Sequence, residues 1–289
     1  MSKQELASKI VGWLFQTGAI RVSPADRPFW YTSGLIGPYY VNTHFLYGSE
    51  QKANQLLSQM DQGKDDPLAC TKLVRAALWE NYHADAVFRQ VTDALVQYIK
   101  ENFVWQNMDS ISGGERRDWF FSMLPAEILG KPHLNIFKDQ QVVQITAAAA
   151  ALVDDLRGQR VLHISDLITE ASSYLRAWIP ALANRGAIMA DTLTIVDRQQ
   201  GGGEALRQAG IAMQSLVQIN RALFQEAKAQ GFLSGEQFQL VEGYLSDPFH
   251  SMRDFLLQTP EFLQNALSAD PKTRERAERL LAQDLYQLK

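Results

Sequence analysis

An acidic residue followed by a hydroxyl-rich turn is the strongest chemical signal in the sequence. The apolar run 161–164 predicts a short buried strand, Asp166 follows it, and Thr169, Ser172 and Ser173 come next. The first N–H groups of a helix lack partners within the helix, so with neighbouring hydroxyls they bind phosphate well. A plain strand, turn and helix cap would show the same pattern. The segment therefore indicates either a phosphate site or an ordinary structural turn.

Strands and helices alternate on both sides of this turn. The strand-like runs are 108–111, 134–137, 161–164 and 192–196. A helix is predicted from Ser172 or Ser173 to Gly186, with a kink at Pro180. Such alternation predicts crossover connections and a parallel sheet. Ligands bind beyond the carboxyl ends of parallel strands, and the residues expected there are Gly113, Asp166 and Arg198.

The rest of the chain divides by composition. Residues 2–17 and 50–104 show helical spacing of apolar residues, residues 19–47 suggest short strands and turns, and an apolar segment covers 142–153. From about residue 220 only helices are predicted, with caps at Ser234 (paired with Gln237), Asp247, Thr259 and Asp270. We therefore expect a domain over 1–219, with an N-terminal hood 1–48 and a helical insertion about 50–105, and a helical appendage over 220–289.

Composition limits the class of protein. The chain has 289 residues, 46% hydrophobic and 21% charged, and a formal net charge of −4. These values describe a globular protein, and they argue against a dedicated nucleic-acid binder, which is usually strongly basic. Cys70 is the sole cysteine, so no internal disulfide or multi-thiolate zinc site can form. With no secretion signal and no apolar run near the length of about 20 residues that spans a bilayer, a cytoplasmic location without membrane contact is expected.

Other chemically capable residues give weaker signals. The five histidines show no spacing typical of metal ligands, so core or surface positions are expected for them. Asp154 and Asp155 form an acidic pair, but neighbouring polar residues predict an exposed helix end. No arrangement of serine or cysteine with a base suggests nucleophilic catalysis.

Three segments accompany the one at 161–173. Residues 29–42 contain Ser-Gly and then Pro-Tyr-Tyr, residues 109–117 read Asp-Ser-Ile-Ser-Gly-Gly-Glu-Arg-Arg, and residues 195–202 read Ile-Val-Asp-Arg-Gln-Gln-Gly-Gly. In this order the four segments resemble those of the type I phosphoribosyltransferases, and of the orotate phosphoribosyltransferases most closely. The resemblance covers about residues 1–218, with 50–105 only loosely similar.

The resemblance implies a fold, an activity and a set of site residues. The implied fold is an α/β parallel sheet flanked by helices, and the implied reaction transfers a phosphoribosyl group from phosphoribosyl pyrophosphate to orotate with Mg²⁺, in a homodimer. No metal ligand is implied directly, since the acidic residue contacts ribose hydroxyls and the magnesium hydration shell. The implied residues are Asp166 and Lys138 for catalysis, Thr169, Ser172 and Ser173 for the ribose phosphate, Gly113, Gly114, Arg116 and Arg117 for pyrophosphate, and Arg198, Tyr39 and Tyr40 for the base.

Several positions differ from the family pattern. Ile36 stands where a basic residue is expected, Asn42-Thr-His44 replaces an Asp-x-Arg sequence, and the segment after Lys138 lacks the lysine and histidine of a mobile catalytic loop. Glu170 adds a negative charge to the turn expected to bind phosphate. Since departure of pyrophosphate requires cations or fixed donors, a second hypothesis is a non-catalytic homologue that senses a nucleotide or a phosphorylated metabolite.

Overall fold

The computed structural model describes residues 3–288. Its helices are α1 (Lys3–Gln16), α2 (Glu50–Gln62), α3 (Pro67–Ala84), α4 (Ala86–Asn102), α5 (Trp119–Ile128), α6 (Ile179–Ala183), α7 (Gly202–Gln208), α8 (Arg221–Ala229), α9 (Gly235–Ser246), α10 (Pro248–Gln258), α11 (Pro260–Leu267) and α12 (Pro271–Ala282). The strands are β1 (Ile20–Val22), β2 (Phe29–Trp30), β3 (Ile36–Gly37), β4 (Tyr39–Val41), β5 (Ser110–Gly114), β6 (His133–Ile136), β7 (Val142–Ile145), β8 (Ala150–Leu152), β9 (Arg160–Ile168), β10 (Ile188–Asp197) and β11 (Ala212–Gln218). Short 3₁₀ helices cover Thr43–Tyr47 and Trp105–Asn107, and a π-helical turn covers Tyr174–Trp178.

The largest sheet has the strand order β11-β10-β9-β5-β6-β7-β8. The pairs from β11 to β6 are parallel, and β7 and β8 add antiparallel at the edge. The predicted parallel sheet is therefore confirmed for its central part, whereas the apolar segment 142–153 forms an edge hairpin. The carboxyl ends of β5, β9 and β10 lie at the same edge because these strands are parallel neighbours.

Helices cover both faces of this sheet. A Cβ atom added to Gly113 would lie 2.1 Å from Oγ of Ser122 in α5, and one added to Gly114 would lie 2.2 Å from the ring of Trp178. Successive residues of a strand point to opposite faces, so α5 covers one face and the π-helical turn covers the other. Every residue from Trp119 to Ala126 in α5 is buried. The two glycines allow both helical segments to approach the sheet closely.

The chain separates into two compact units. The first contains the residues up to Ala19 together with Thr43–Ile219, and the second contains Ile20–Asn42 together with the residues from Asn220 onward. The sequence assigned 20–42 to the domain 1–219, whereas in the structure this segment packs with the C-terminal helices. Hydrophobic patterning along the chain does not show that two distant segments share one core.

The second unit is built around the short N-terminal strands. β1 pairs with β4 and β2 with β3, both antiparallel. Ile36 is fully buried in a cluster with Met252, Leu256, Leu280 and Tyr286. The burial explains why an apolar residue stands at a position where the resemblance leads one to expect a basic one.

The predicted caps of the C-terminal helices are largely confirmed. Ser234 and Gln237 form a reciprocal capping box, and Asp247 and Asp270 accept hydrogen bonds from the first N–H groups of α10 and α12. Thr259 is also at the predicted N-cap position of α11, before Pro260, but its side chain accepts no hydrogen bond from this helix.

Several element boundaries also differ from the predictions. Asp85 interrupts the helical segment 50–104, because its carboxylate caps α4. Gly113 and Gly114, expected near the end of a strand, are themselves the last residues of β5 and pair with β6. β11 was not expected, since this edge strand mixes polar and apolar residues. Within residues 3–288, no helix has both the length and the apolar character needed to cross a membrane.

Candidate functional site

A cavity of about 550 Å³ lies beyond the carboxyl ends of β5 and β9. Its lining includes seven residues that the sequence predicted for the site, namely Arg116, Arg117, Lys138, Asp166, Thr169, Ser172 and Ser173. Arg198 follows β10, and its backbone N–H donates to the carbonyl of Ile168, another lining residue, at 3.0 Å. The segments after three neighbouring strands therefore meet at one edge of the sheet.

The turn after β9 presents its N–H groups rather than its carbonyls. The carbonyls of Ile168, Thr169 and Ala171 accept hydrogen bonds from other backbone groups. Between residues 3 and 288, no acceptor lies within hydrogen-bonding geometry of the N–H groups of residues 169–172. Ala171 has a φ of 59°, which turns the backbone sharply before the helix starts. Consecutive N–H groups in such a turn form a concave anion-binding surface.

Two side chains fix the helical segment after this turn. The hydroxyl of Tyr174 is hydrogen-bonded to Oγ of Ser165 and Oγ1 of Thr192, each at 2.8 Å. Thr192 lies on β10 and Ser165 on β9, so one buried phenol joins the helix to two strands of the sheet. Trp178 closes over Gly114 from the same face. The turn is thus held by rigid elements on its helical side.

Two carboxyl groups lie side by side at the base of the cavity. Asp166 and Asp118 are each 7% exposed, and both line the cavity. Burial and, next, the neighbouring Asp118 charge raise the pKa of Asp166 well above its usual range, while Arg117 opposes the shift. The pair can thus accept hydrogen bonds from hydroxyl groups and can hold a proton when no cation is near.

The cations of the cavity differ in their contacts. Arg116 forms an ion pair with Asp61 and donates to the carbonyl of Leu57 at 3.3 Å. Arg117 and Lys138 have exposed side chains, and neither side chain has a hydrogen bond or ion pair in the described part of the chain. Glu115, which also lines the cavity, accepts the backbone N–H of Lys138 at 2.9 Å. Two cations are therefore available to a bound anion.

Gly113 and Gly114 are not part of the cavity lining. The N–H of Gly114 donates to Oδ2 of Asp118 at 3.0 Å, and the carbonyl of Gly113 accepts from the Trp119 indole at 2.9 Å. These groups are therefore already hydrogen-bonded within the protein. Both glycines allow close packing, the Gly114 N–H is already engaged, and the predicted contact of the two residues with pyrophosphate stays a prediction.

The three residues predicted for base binding are not part of the cavity lining either. Arg198 follows β10 at the same sheet edge, and its Nε is buried without a partner among the described residues. Tyr39 and Tyr40 lie on β4 in the second unit. The Tyr39 ring packs against Phe224 and Tyr244. Their predicted roles stay predictions.

Sequence reasoning missed Asp118, which links two segments of the site. Its carboxylate accepts the N–H groups of both Gly114 and Asp166 at 3.0 Å. An acidic residue after two arginines and before the apolar run 119–121 could have been noticed as a helix start, but its contact with Asp166 depends on the fold. Residues 3–288 contain no cluster of three or more histidine, cysteine or carboxylate side chains able to hold a metal.

Comparison with curated proteins shows several similar sequences, although no family model matches the chain. The orotate phosphoribosyltransferase of Ruegeria sp. (strain TM1040) is 24% identical over 253 residues, which is 86% of this chain and 92% of that protein. The orotate phosphoribosyltransferase of Saccharolobus solfataricus is 31% identical over 88 residues, 30% of this chain and 45% of that protein. The latter match thus spans less than half of the relative's length.

A solved structure shows the same fold. The UMP synthase of Leishmania donovani superposes with a TM-score of 0.55 and 15% identity, over 83% of this chain and 42% of that protein. The mostly parallel sheet flanked by helices, predicted from the sequence, is thereby confirmed.

Proposed function

We propose that the chain is an orotate phosphoribosyltransferase-like member of the type I phosphoribosyltransferase family and that it transfers a phosphoribosyl group from phosphoribosyl pyrophosphate to orotate. The observation that carries the proposal is the cavity at the ends of β5 and β9, where a carboxyl pair meets N–H groups and two cationic side chains that have no partner among residues 3–288. These groups match a phosphorylated sugar with a second anionic group: the N–H groups can bind the phosphate, the carboxyl pair the sugar hydroxyls, and the cations the second anion.

The turn over residues 169–173 is proposed to bind the 5-phosphate. Its free N–H groups point to no acceptor in the described chain, and the exposed hydroxyls of Ser172 and Ser173 and the half-buried hydroxyl of Thr169 add donors. Phosphate oxygens accept such hydrogen bonds strongly because they carry charge. Glu170 is exposed, so its carboxylate can point to solvent.

Asp166 is proposed to accept hydrogen bonds from the ribose hydroxyls. Arg117 and Lys138 are proposed to contact the pyrophosphate, because their cationic groups have no partner in the described chain. The Asp166 carboxyl fits the hydration shell of a Mg²⁺ ion that arrives with the substrate, rather than a resident metal held by three side chains. Bound there, Mg²⁺ would neutralise charge on the leaving pyrophosphate.

Arg198 is proposed to bind the carboxylate of orotate. A guanidinium can form two parallel hydrogen bonds to a carboxylate, and the buried Nε of Arg198 has no partner between residues 3 and 288. The roles of Tyr39 and Tyr40 in base binding, the homodimer and the cytoplasmic location are further proposals that come from the resemblance.

A non-catalytic binding protein is the second candidate, and the β7–β8 hairpin favours it. The chain between Asp139 and Val153 contains no lysine, arginine or histidine, and its residues form the hairpin and its turn. A site without a cation from this segment stabilises the leaving pyrophosphate less, while the turn after β9 can still bind a phosphate.

Purified protein with Mg²⁺, phosphoribosyl pyrophosphate and orotate separates the two candidates. Loss of orotate absorbance, abolished by Asp166→Asn or Arg117→Ala, supports the transferase. Calorimetric binding of phosphoribosyl pyrophosphate without turnover supports the binding protein. Absence of both binding and turnover contradicts both candidates. Asp155→Asn serves as the matched control, because it makes the same change at an exposed aspartate outside the cavity lining.

A further inference from the structure

Asp118 contacts two loops of the candidate site with one carboxylate. Oδ2 accepts the N–H of Gly114 and Oδ1 accepts the N–H of Asp166, each at 3.0 Å. Although Asp118 directly precedes α5, its side chain makes no capping hydrogen bond to that helix. The carboxylate instead faces the sheet, where it is buried.

These two hydrogen bonds lie just beyond the last paired residues of β5 and β9. The pairing of β5 with β9 ends at Ser112 and His163, two residues before Gly114. Beyond this point the backbones of the two strands have no direct hydrogen bonds, and their N–H groups would be buried without acceptors. The Asp118 carboxylate supplies those acceptors and bridges the gap that opens into the cavity.

A buried histidine lies beside this carboxylate. Nε2 of His163 lies 3.5 Å from Oδ2 of Asp118, and its Nδ1 lies 2.9 Å from Oγ of Ser112. Serine, histidine and aspartate in this order resemble a hydrolytic triad, but Ser112 and His163 are completely buried. No substrate can reach the Ser112 hydroxyl, so the three residues are not a hydrolytic site.

We propose that Asp118 is a positioning residue of the phosphoribosyl site. Its carboxylate fixes the distance between the loop that carries Arg117 and the turn that follows Asp166, so that one ligand can contact both. This inference rests on the proposed function for the identity of the ligand. Arg117 directly precedes Asp118 in sequence, and Asp166 receives its hydrogen bond. One side chain therefore sets the distance between the proposed pyrophosphate and ribose contacts.

Amide hydrogen exchange tests the positioning role without any ligand. Asp118→Asn keeps the shape but offers one acceptor oxygen to two N–H donors, so exchange at Gly114 and Asp166 should rise by about tenfold or more. Asp109→Asn is the matched control, because Asp109 accepts the N–H of Arg160 at 2.8 Å at the opposite end of the same two strands. Unchanged exchange at Gly114 and Asp166 would overturn the proposal.

Ligand binding tests the consequence for the site. In Asp118→Asn, affinity for phosphoribosyl pyrophosphate should fall by about tenfold or more, whereas ribose 5-phosphate and inorganic pyrophosphate, which each contact one loop, should change by less than about threefold. Equal losses for the whole ligand and its fragments would contradict a positioning role.

Two further outcomes separate this inference from the proposed function. If the wild-type protein binds none of the three ligands, the proposed function fails, and the exchange experiment still decides whether Asp118 holds the loops. Asp118→Ser, which replaces the carboxylate by a smaller uncharged side chain, is a second variant that guards against a folding defect specific to asparagine. If neither variant shows a native circular dichroism spectrum, Asp118 is required for folding and the positioning proposal is overturned.

Discussion

Arg116 forms an ion pair with Asp61 of α2, and Arg117, its neighbour in sequence, has no such partner in the described chain. Both arginines line the same cavity. Arg116 also donates to a backbone carbonyl of α2, that of Leu57, so its charge is already engaged within the protein. The two arginines, equivalent in sequence, are therefore expected to differ in their contribution to ligand binding.

Arg117→Ala should weaken binding of phosphoribosyl pyrophosphate more than Arg116→Ala does. Loss of a hydrogen bond between charged groups corresponds to about a 10- to 100-fold loss of affinity, and this loss is expected for Arg117. Arg116→Ala should change affinity by less than about threefold, since its guanidinium is paired. Isothermal calorimetry at constant ionic strength measures both. A larger effect of Arg116→Ala would show that the Asp61 pair opens when ligand binds.

Asp166→Asn should stabilise the ligand-free protein at neutral pH while it weakens ligand binding. Burial and Asp118 raise the pKa of Asp166, so the folded state holds the proton more tightly than the unfolded state does. Stability from this group is present below the ordinary carboxyl pKa and is lost as pH rises through the folded pKa. The variant should be more stable than the wild type at pH 7.5 and about equally stable near pH 3.5. Urea unfolding at both pH values measures the difference, and a loss at pH 7.5 would contradict it.

The sequence predicted the sheet edge and most of the cavity lining because strand ends and turns are local features. Asp166 and the 169–173 turn follow one apolar run, so their position depends on few residues. Asp118 could not be assigned in this way, because its contact to Asp166 joins residues 48 positions apart. The packing of 20–42 with the C-terminal helices likewise depends on long-range contacts.

His44→Gln should flatten the loss of stability in acid. His44 is 2% exposed, and burial, with Arg117 and Arg116 nearby, lowers its pKa from 6.5 to about 3. Between these values the unfolded state takes up a proton that the folded state refuses, so stability falls as pH falls. His44 contributes at most about 1.4 kcal/mol per pH unit to the slope of unfolding free energy against pH, and the variant should lose this contribution. Unfolding midpoints from pH 7 to pH 4 measure the slope, and His83→Gln, at an exposed position, is the control. Identical slopes in His44→Gln and the wild type would sink the prediction.

Tyr286→Phe should loosen the β2–β3 hairpin of the second unit. The buried phenol of Tyr286 accepts the N–H of Ile36 at 3.0 Å and donates to its carbonyl at 3.2 Å. Ile36 is fully buried, so the variant leaves both backbone groups without a partner, at a cost of about 1–3 kcal/mol. Limited proteolysis and amide exchange over residues 29–37 should detect the loosening. Tyr82→Phe, which removes a hydroxyl bonded to Asp93 at the surface, should leave this segment unchanged. Equal protection of residues 29–37 in all three proteins would mean that the apolar cluster around Ile36 holds the hairpin without the phenol.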